Sequence, residues 1–400
     1  MANVSKAKLF AVAMGAMLMM LGGGVVANSM TYFITPVTES LGCTKAQFSI
    51  YYTIITACTA VMSLMMTPIL KKLGLRKAFI ISCIGVTSGY LILSRASNLG
   101  MVYAGAGLIG ICQTFVVVPS VNVINAWFTE NHGLVTGFAM SATGFGGLIV
   151  GAIMPTMVAE LGWRAGYMTY AMIWLVISVA VNILVGGTSL YLEKGSEAAA
   201  ASDDQEKGVM EYKTILKTAS FWGLMITAFF ASGVSMISQH LSVHLEMRGL
   251  NIVIISAVMG VWSLMLALFK IAEGYLYDKL PERAFVAVTM FFGVFGYLAL
   301  CGRGMAWLML GVIGYAWGAA SNTVLYPLIM RKLYGKEPAS AVWGICYAAF
   351  MAGNAVWTPI YGVVFDMTGS YNPALVVSGV ILALSTIYVA ALLGRKAKND

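Results

Sequence analysis

Apolar runs of roughly 18 to 28 residues, divided by short polar turns, recur twelve times along this 400-residue chain. They cover about 8–35, 46–70, 78–95, 99–126, 133–158, 165–191, 219–244, 252–277, 284–302, 304–330, 339–365 and 374–394. A hydrocarbon core about 30 Å thick takes roughly 20 such residues in a helix, so each run predicts a membrane-crossing helix. Alternating apolar and polar ten-residue strands, which a membrane barrel requires, are absent. The longest polar interruption runs from Glu193 to Lys217 and has the acidic, alanine-rich composition of a flexible linker. The pattern therefore predicts a six-helix bundle over 1–191, a cytoplasmic linker over 192–218 and a second six-helix bundle over 219–400.

Composition agrees with the pattern: 60% of residues are hydrophobic, 10% are charged and the mean hydropathy is +0.84. Soluble domains carry about a quarter charged residues, so this is a membrane protein by composition alone. The net charge of +8 reports topology. Twelve spans place alternate loops on opposite sides. Clusters such as Lys71-Lys72, Arg76-Lys77, Arg331-Lys332 and Arg395-Lys396 fall on the side of both termini, whereas Lys45, Arg95, Arg164, Arg248 and Arg303 fall on the other. That asymmetry predicts a multi-pass protein of the cell (inner) membrane with both termini cytoplasmic. No basic patch is interleaved with aromatics, so no nucleic-acid partner is expected. The six cysteines are scattered without metal-ligand or disulfide spacing. His240 and His244 lie one turn apart, but no third ligand accompanies them, so no metal is expected. Gly22-Gly23-Gly24 and the glycines from Gly144 to Gly151 sit mid-span without a following Gly-Lys-Ser/Thr. They read as close-packing points, and no cofactor is implied.

The two halves repeat at a constant shift of 207 residues: Gly137 with Gly344, Gly162 with Gly369, and the loop after the second span with the loop after the eighth. Parallel repeats related by an axis along the membrane normal place a site between them near the midplane. In the eighth-span loop, Gly274-x-Leu276-x-Asp278-Lys279-x-x-x-Arg283 resembles the loop motif of the major facilitator superfamily. The first-half copy, with Lys71, Lys72 and Arg76, has Thr67 for the glycine and Lys71 for the aspartate. The run Trp127-Phe128 through Gly133 and Gly137 to Pro155 and Gly162-Trp163-Arg164 resembles the bacterial monocarboxylate and oxalate:formate branch, with His132 where an arginine is usual. His240-Leu-Ser-Val-His244-Leu and Thr368-Gly-Ser-Tyr371 are similar to further segments of that branch. The resemblance implies an all-α membrane protein of twelve transmembrane helices in two six-helix pseudo-symmetric bundles. It also implies a gating role for Asp278, Lys279, Arg283, Lys71, Lys72 and Arg76.

Between Ile252 and Leu276 the ionisable residues of the Asp, Glu, Lys and Arg kind are Lys270 and Glu273. An ammonium within a span is costly and normally faces a cavity or a partner. The resemblance implies that a cation at Lys270 binds a substrate carboxylate, and that a second cation of the oxalate:formate branch is replaced here by Phe350. One buried cation balances one carboxylate. Lys270 also has a structural reading, as an ion pair with Glu273 one turn away. Glu273 and His240 are the coupling candidates. Polar residues recur on single helix faces: Asn28, Tyr32 and Thr35; Tyr52, Thr56, Thr59 and Ser63; Ser235, Gln239 and Ser242; Ser256, Ser263, Lys270 and Tyr277; Tyr315, Asn322 and Tyr326. Lys270, Asn28, Tyr32, Gln239, His240, Asn322, Tyr326 and Phe350 are thus the expected substrate-binding set. The reading is a monomeric secondary transporter, not an enzyme, in the lipid bilayer. It moves a small organic anion, a monocarboxylate, with a proton or counter-anion as partner. Export of bulky hydrophobic or aromatic compounds, dicarboxylate exchange, and a non-transporting sensor are the alternatives.

Overall fold

The computed structural model describes residues 6–28, 30, 32–128, 132–186 and 212–396, and every regular element among them is a helix. In order these are α1 (Lys6–Ala27), α2 (Ile34–Leu41), α3 (Lys45–Ser94), α4 (Leu99–Trp127), α5 (His132–Gly186), α6 (Tyr212–Ile215), α7 (Ala219–Val234), a 3₁₀ turn (Ser235–Gln239), α8 (Leu241–Glu246), α9 (Ile252–Lys279), α10 (Glu282–Leu300), α11 (Met305–Tyr334), α12 (Lys336–Thr368) and α13 (Asn372–Lys396).

Two of these are too long for one crossing, and glycine divides them. Gly74 inside α3 has φ 71° and Gly162 inside α5 has φ 81°. A residue with a Cβ rarely adopts that left-handed backbone, so each glycine ends one span and starts the next. Nine described helical segments are long and apolar enough to cross a membrane, one of them the 51-residue Gly133–Ile183, and Ala13–Ala27 and Ala284–Leu300 are shorter apolar helices. Counting the segment broken at Gly162 as two and including both shorter helices gives the twelve expected spans.

The 207-residue repeat is visible in the backbone. Thr44 and Asn251 cap the second and eighth spans, each side chain accepting from a backbone N–H three residues on. Gly162 and Gly369 (φ 67°) end the fifth and eleventh spans. The first and seventh spans depart from the continuous helices expected over 8–35 and 219–244. α1 ends at Ala27 and α7 ends at Val234, again 207 residues apart.

Inside a bilayer the carbonyls freed by such breaks need internal partners, and they have them. Asn28 Nδ2 donates to the Gly24 carbonyl at 2.8 Å, and the Tyr170 hydroxyl donates to the Asn28 carbonyl at 3.1 Å. At the second break Asn322 Nδ2 donates to Ala231 (2.9 Å), the Tyr361 hydroxyl to Val234 (2.5 Å) and the Tyr315 hydroxyl to Ser235. Each break is thus fixed by side chains from other helices.

The two halves meet most closely where α5 runs against α9. A Cβ on Gly137 would strike the Lys270 carbonyl, and one on Gly274 would strike the Gly133 carbonyl. Glycine at these points lets the two backbones touch, which is how membrane helices gain packing without a hydrophobic driving force. The contact sets Lys270 against the fifth span. The expected linker over 192–218 lies mostly outside the described residues, apart from α6 and the turn that follows it.

Candidate functional site

A cavity of about 200 Å³ lies between the halves. That is several times the ~30 Å³ share of one water, enough for a small organic molecule. The first half lines it with Asn28, Tyr52, Thr56, Gln113 and Thr143, and the second with Gln239, Lys270, Tyr315, Asn322, Phe350 and Asn354, among others. Of the described residues lining it, Lys270 alone is Asp, Glu, Lys or Arg.

The Lys270 side chain is 3% exposed. Its Nζ donates to Thr143 Oγ1 at 2.5 Å, and Thr143 in turn donates to the Met140 carbonyl at 2.9 Å. Thr143 thus holds the ammonium across the boundary between halves and leaves two of its three N–H donors for another acceptor. No carboxylate lies within ion-pair distance of Lys270 among the described residues, so the structural pair with Glu273 is not formed. Glu273 points instead toward α11. Its Oε1 is 2.6 Å from Ser321 Oγ, its Oε2 is buried without a partner, and the residue is 0% exposed.

Of the expected binding residues, Lys270, Asn28, Gln239, Asn322 and Phe350 line the cavity, and Tyr32, His240 and Tyr326 do not. Helical spacing puts Tyr32 beside Asn28, but α1 ends at Ala27 and that spacing lapses. Its hydroxyl packs over Gly151. The 3₁₀ turn likewise swings His240 away, where Nε2 meets the Thr358 carbonyl at 2.9 Å and Nδ1 meets the Tyr371 hydroxyl at 3.2 Å. Tyr326 sits behind the wall, edge-on to Phe350 with ring centroids 5.2 Å apart. Thr143, Gln113, Tyr347 and Asn354 line the cavity and were not among the expected binders. Thr143 is lost in a run of small residues, whereas Gln113 is an amide in the middle of the apolar fourth span, a polar signal that lies outside the expected polar faces.

On the side of the basic loops Asp278 accepts from the backbone N–H groups of Gly133 (3.1 Å) and Leu134 (2.9 Å). A carboxylate at a helix N-terminus is favourably placed by the helix dipole and the free N–H groups there. Arg331 Nη1 donates to the Phe128 carbonyl at 2.9 Å, a second tie between halves. Lys72, Arg76 and Lys279 are exposed, with Lys279 Nζ 6.0 Å from the Tyr275 ring centroid. The side chains of Lys71, Arg283 and His132 lie outside the described residues.

A model of the Major Facilitator Superfamily matches residues 12–356. The chain belongs to that superfamily. Its relatives in it include monocarboxylate transporter 12-B of Danio rerio, 22% identical over 347 residues that span 79% of this chain and 72% of that protein. The oxalate:formate antiporter of Oxalobacter formigenes is 22% identical over 406 aligned positions, 98% of this chain and 93% of that protein. The crystal structure of FucP, a superfamily transporter in the outward conformation, superposes with a TM-score of 0.71 at 13% identity, covering 97% of this chain and 99% of that one. Membership makes the protein a multi-pass membrane transporter rather than an enzyme. Its twelve helices form the superfamily's two pseudo-symmetric bundles, and the cavity lies at their junction.

Proposed function

We propose that this transporter moves a small monocarboxylate by alternating access, with Lys270 as the anchor for the carboxylate. The observation that carries the reading is the lone charged side chain among the described residues of the cavity wall, facing a space of about 200 Å³. A dicarboxylate would leave one negative charge without a partner in low dielectric. Phe350, apolar and on the wall, offers no second cation. The described ties between halves support a form closed on the basic side, where Asp278 and Arg331 act as latches. A ligand drives the change of form only by binding the forms unequally. A carboxylate compensating Lys270 removes the cost of a lone buried cation and so favours closure over it. A proton or an exchanged anion supplies the driving force. The basic side is the cytoplasmic one in this reading, both termini lie there, the membrane is the inner one, and the monomer is the working unit. The bundles divide at 1–191 and 219–400 around the 192–218 linker.

Labelled mono- and dicarboxylates offered to proteoliposomes test it. Lys270→Gln is expected to cut monocarboxylate uptake at least ~30-fold, the equivalent of about 2 kcal/mol at 1.4 kcal/mol per decade. Undiminished uptake would remove the anchor. A second reading, export of bulky aromatic compounds, is favoured by the aromatic wall of Tyr52, Trp262, Tyr315, Tyr347 and Phe350. It requires Lys270→Gln to leave transport of such compounds intact.

A further inference from the structure

Among the described residues that line the cavity, two carry a buried polar atom with no hydrogen-bond partner, and the two atoms are of opposite kinds. Gln239 Oε1 is an acceptor and Trp262 Nε1 is a donor, in residues 8% and 7% exposed. Both side chains are held where they stand. Gln239 Nε2 reaches the Ala27 carbonyl of the other half at 3.4 Å. The Trp262 ring stacks on Tyr315 with centroids 6.0 Å apart and planes 9° apart, and the Tyr315 hydroxyl is itself engaged with Ser235. Buried polar atoms normally find a partner, so an unanswered acceptor and an unanswered donor on one cavity wall describe the ligand that completes them.

Few groups answer both. A carboxylate or a carbonyl only accepts, and an alkyl chain does neither. An ammonium only donates, and it would add a second positive charge beside Lys270. A hydroxyl gives its hydrogen to Gln239 and takes one from Trp262 through a single oxygen. Its place along the ligand follows from the helix. Trp262 and Lys270 are eight residues apart on α9, a rise of ~12 Å. The lysine stem leans back toward Trp262 and shortens the gap without closing it. The hydroxyl therefore belongs at the end of the chain remote from the carboxylate.

The amides between these ends ask for more of the same. Asn28 Nδ2 donates to Gly24, Asn322 Nδ2 to Ala231 and Gln113 Nε2 to Thr59 Oγ1. Backbone carbonyls only accept, and the one hydrogen of Thr59 is spent on the carbonyls of Ile55 and Gly110. Each amide nitrogen is thereby turned toward its protein partner, which leaves an oxygen and a second N–H on each, a match for hydroxyls that both give and take. An engineered cavity of ~150 Å³ takes benzene, so one of about 200 Å³ takes a chain of about four carbons with its oxygens.

We propose, resting on the carboxylate reading of Lys270 and deepening it, that the cargo is a short polyhydroxylated monocarboxylate of the sugar-acid kind. Its carboxylate lies on Lys270 and its terminal hydroxyl lies between Gln239 and Trp262. The intermediate hydroxyls meet the amides of the wall. Cargo and Lys270 together are neutral, and every polar group of the pocket is answered without a second charge.

Three labelled acids of one chain length, offered to full-length protein in proteoliposomes, test this: 2,3,4-trihydroxybutanoate, 2-hydroxybutanoate and butanoate. Wild type is expected to prefer the trihydroxy acid to butanoate by at least about tenfold in kcat/KM, because the analogue without hydroxyls leaves the buried polar atoms unpaired. The 2-hydroxy acid, whose hydroxyl sits beside the carboxylate, is expected to resemble butanoate. Gln239→Met and Trp262→Phe, which remove the acceptor and the donor, are each expected to bring the trihydroxy-to-butanoate ratio close to one. Lys270→Gln is expected to lower all three acids together. A wild-type ratio near one, with Lys270→Gln still lowering all three, overturns the hydroxyl site and leaves the anchor standing. A ratio unchanged in both wall variants overturns it as well, and so does a 2-hydroxy acid preferred as strongly as the trihydroxy acid. The same ranking, read as the rise in unfolding temperature that each acid gives in detergent, needs no transport and decides the matter for a variant that moves nothing. No response to any acid in either assay overturns the anchor and the hydroxyl site together.

Discussion

The first and seventh spans break at equivalent points, after Ala27 and after Val234, yet the two breaks are held differently. Among the described residues, the first draws one of its donors from its own segment. Asn28 caps the carbonyl four residues back within its own segment, and Tyr170 reaches in from the sixth span. The second is pinned from outside by Asn322 and Tyr315 on α11 and Tyr361 on α12. The two halves share a backbone plan and divide the labour. The second half carries the ammonium and the carboxyl on α9 and fixes its break rigidly beside them. The first half contributes uncharged groups, chiefly Thr143 and Asn28, and a break that receives, among the described residues, two side-chain donors from other elements against three at the second. Duplication supplies the scaffold, and the asymmetry of a few side chains supplies the chemistry.

The sharpest way to break this comparison is at the glycines just before each break. A Cβ on Gly24 would meet the backbone of Thr143, at 2.7 Å from its Cα and closer to its carbonyl, whereas one on Gly233 would meet the Trp357 ring. Backbone cannot step aside without displacing the residue that holds Lys270, but a ring can turn. Gly24→Val is therefore expected to cost ~3 kcal/mol or more and to abolish transport, and Gly233→Val ~1–3 kcal/mol with activity reduced. Thermal unfolding in detergent and uptake by the folded fraction check both. Equal losses would mean that Thr143 is not the rigid element.

Smaller effects are expected from the amides. Asn322→Leu strips the Ala231 carbonyl of an interhelical donor and is expected to lower stability by about 1–2 kcal/mol. Asn28→Leu removes a donor from a carbonyl that also receives the Asn28 backbone N–H, and is expected to cost about 0.5 kcal/mol. The ranking, read in the same unfolding assay, is the test. Reversal would show that the first break is the more constrained of the two.

Much of this architecture is legible in the sequence because bilayer thickness fixes span length and Lys270 stands out in an apolar run. The 207-residue register gave the pseudo-symmetry, and the polar helix faces singled out Asn28, Gln239 and Lys270, which line the cavity. What they missed is tertiary. Neither break carries a proline, and no local pattern marks Ala27 or Val234 as a helix end. The partners that make the breaks tolerable, Tyr170, Asn322, Tyr315 and Tyr361, come from distant spans. Helical periodicity carried through the first break misplaced Tyr32, and His240, expected from the resemblance and its titratable ring, lies off the cavity wall. Thr143 could not be found because nothing in a run of small residues distinguishes a packing threonine from one that holds an ammonium.

The smallest effect is expected where the two breaks touch. Gln239 Nε2 reaches the Ala27 carbonyl at 3.4 Å, and Gln239 Oε1 is buried without a partner. A bond that long is near the limit of a hydrogen bond, and the stranded oxygen offsets part of what the donor contributes. Methionine has nearly the same length and removes both atoms together. Gln239→Met should therefore change the unfolding temperature by no more than about 0.5 kcal/mol allows. Its consequence should be kinetic, because this hydrogen bond ties half to half away from the Asp278 and Arg331 contacts on the side of the basic loops. Backbone hydrogen exchange around residues 27–33 and 235–239 is expected to quicken while the α5–α9 contact stays protected. Slower exchange, or a stability loss as large as that of Asn322→Leu, would mean that the two breaks form one locked unit and that the looser first half described above does not exist.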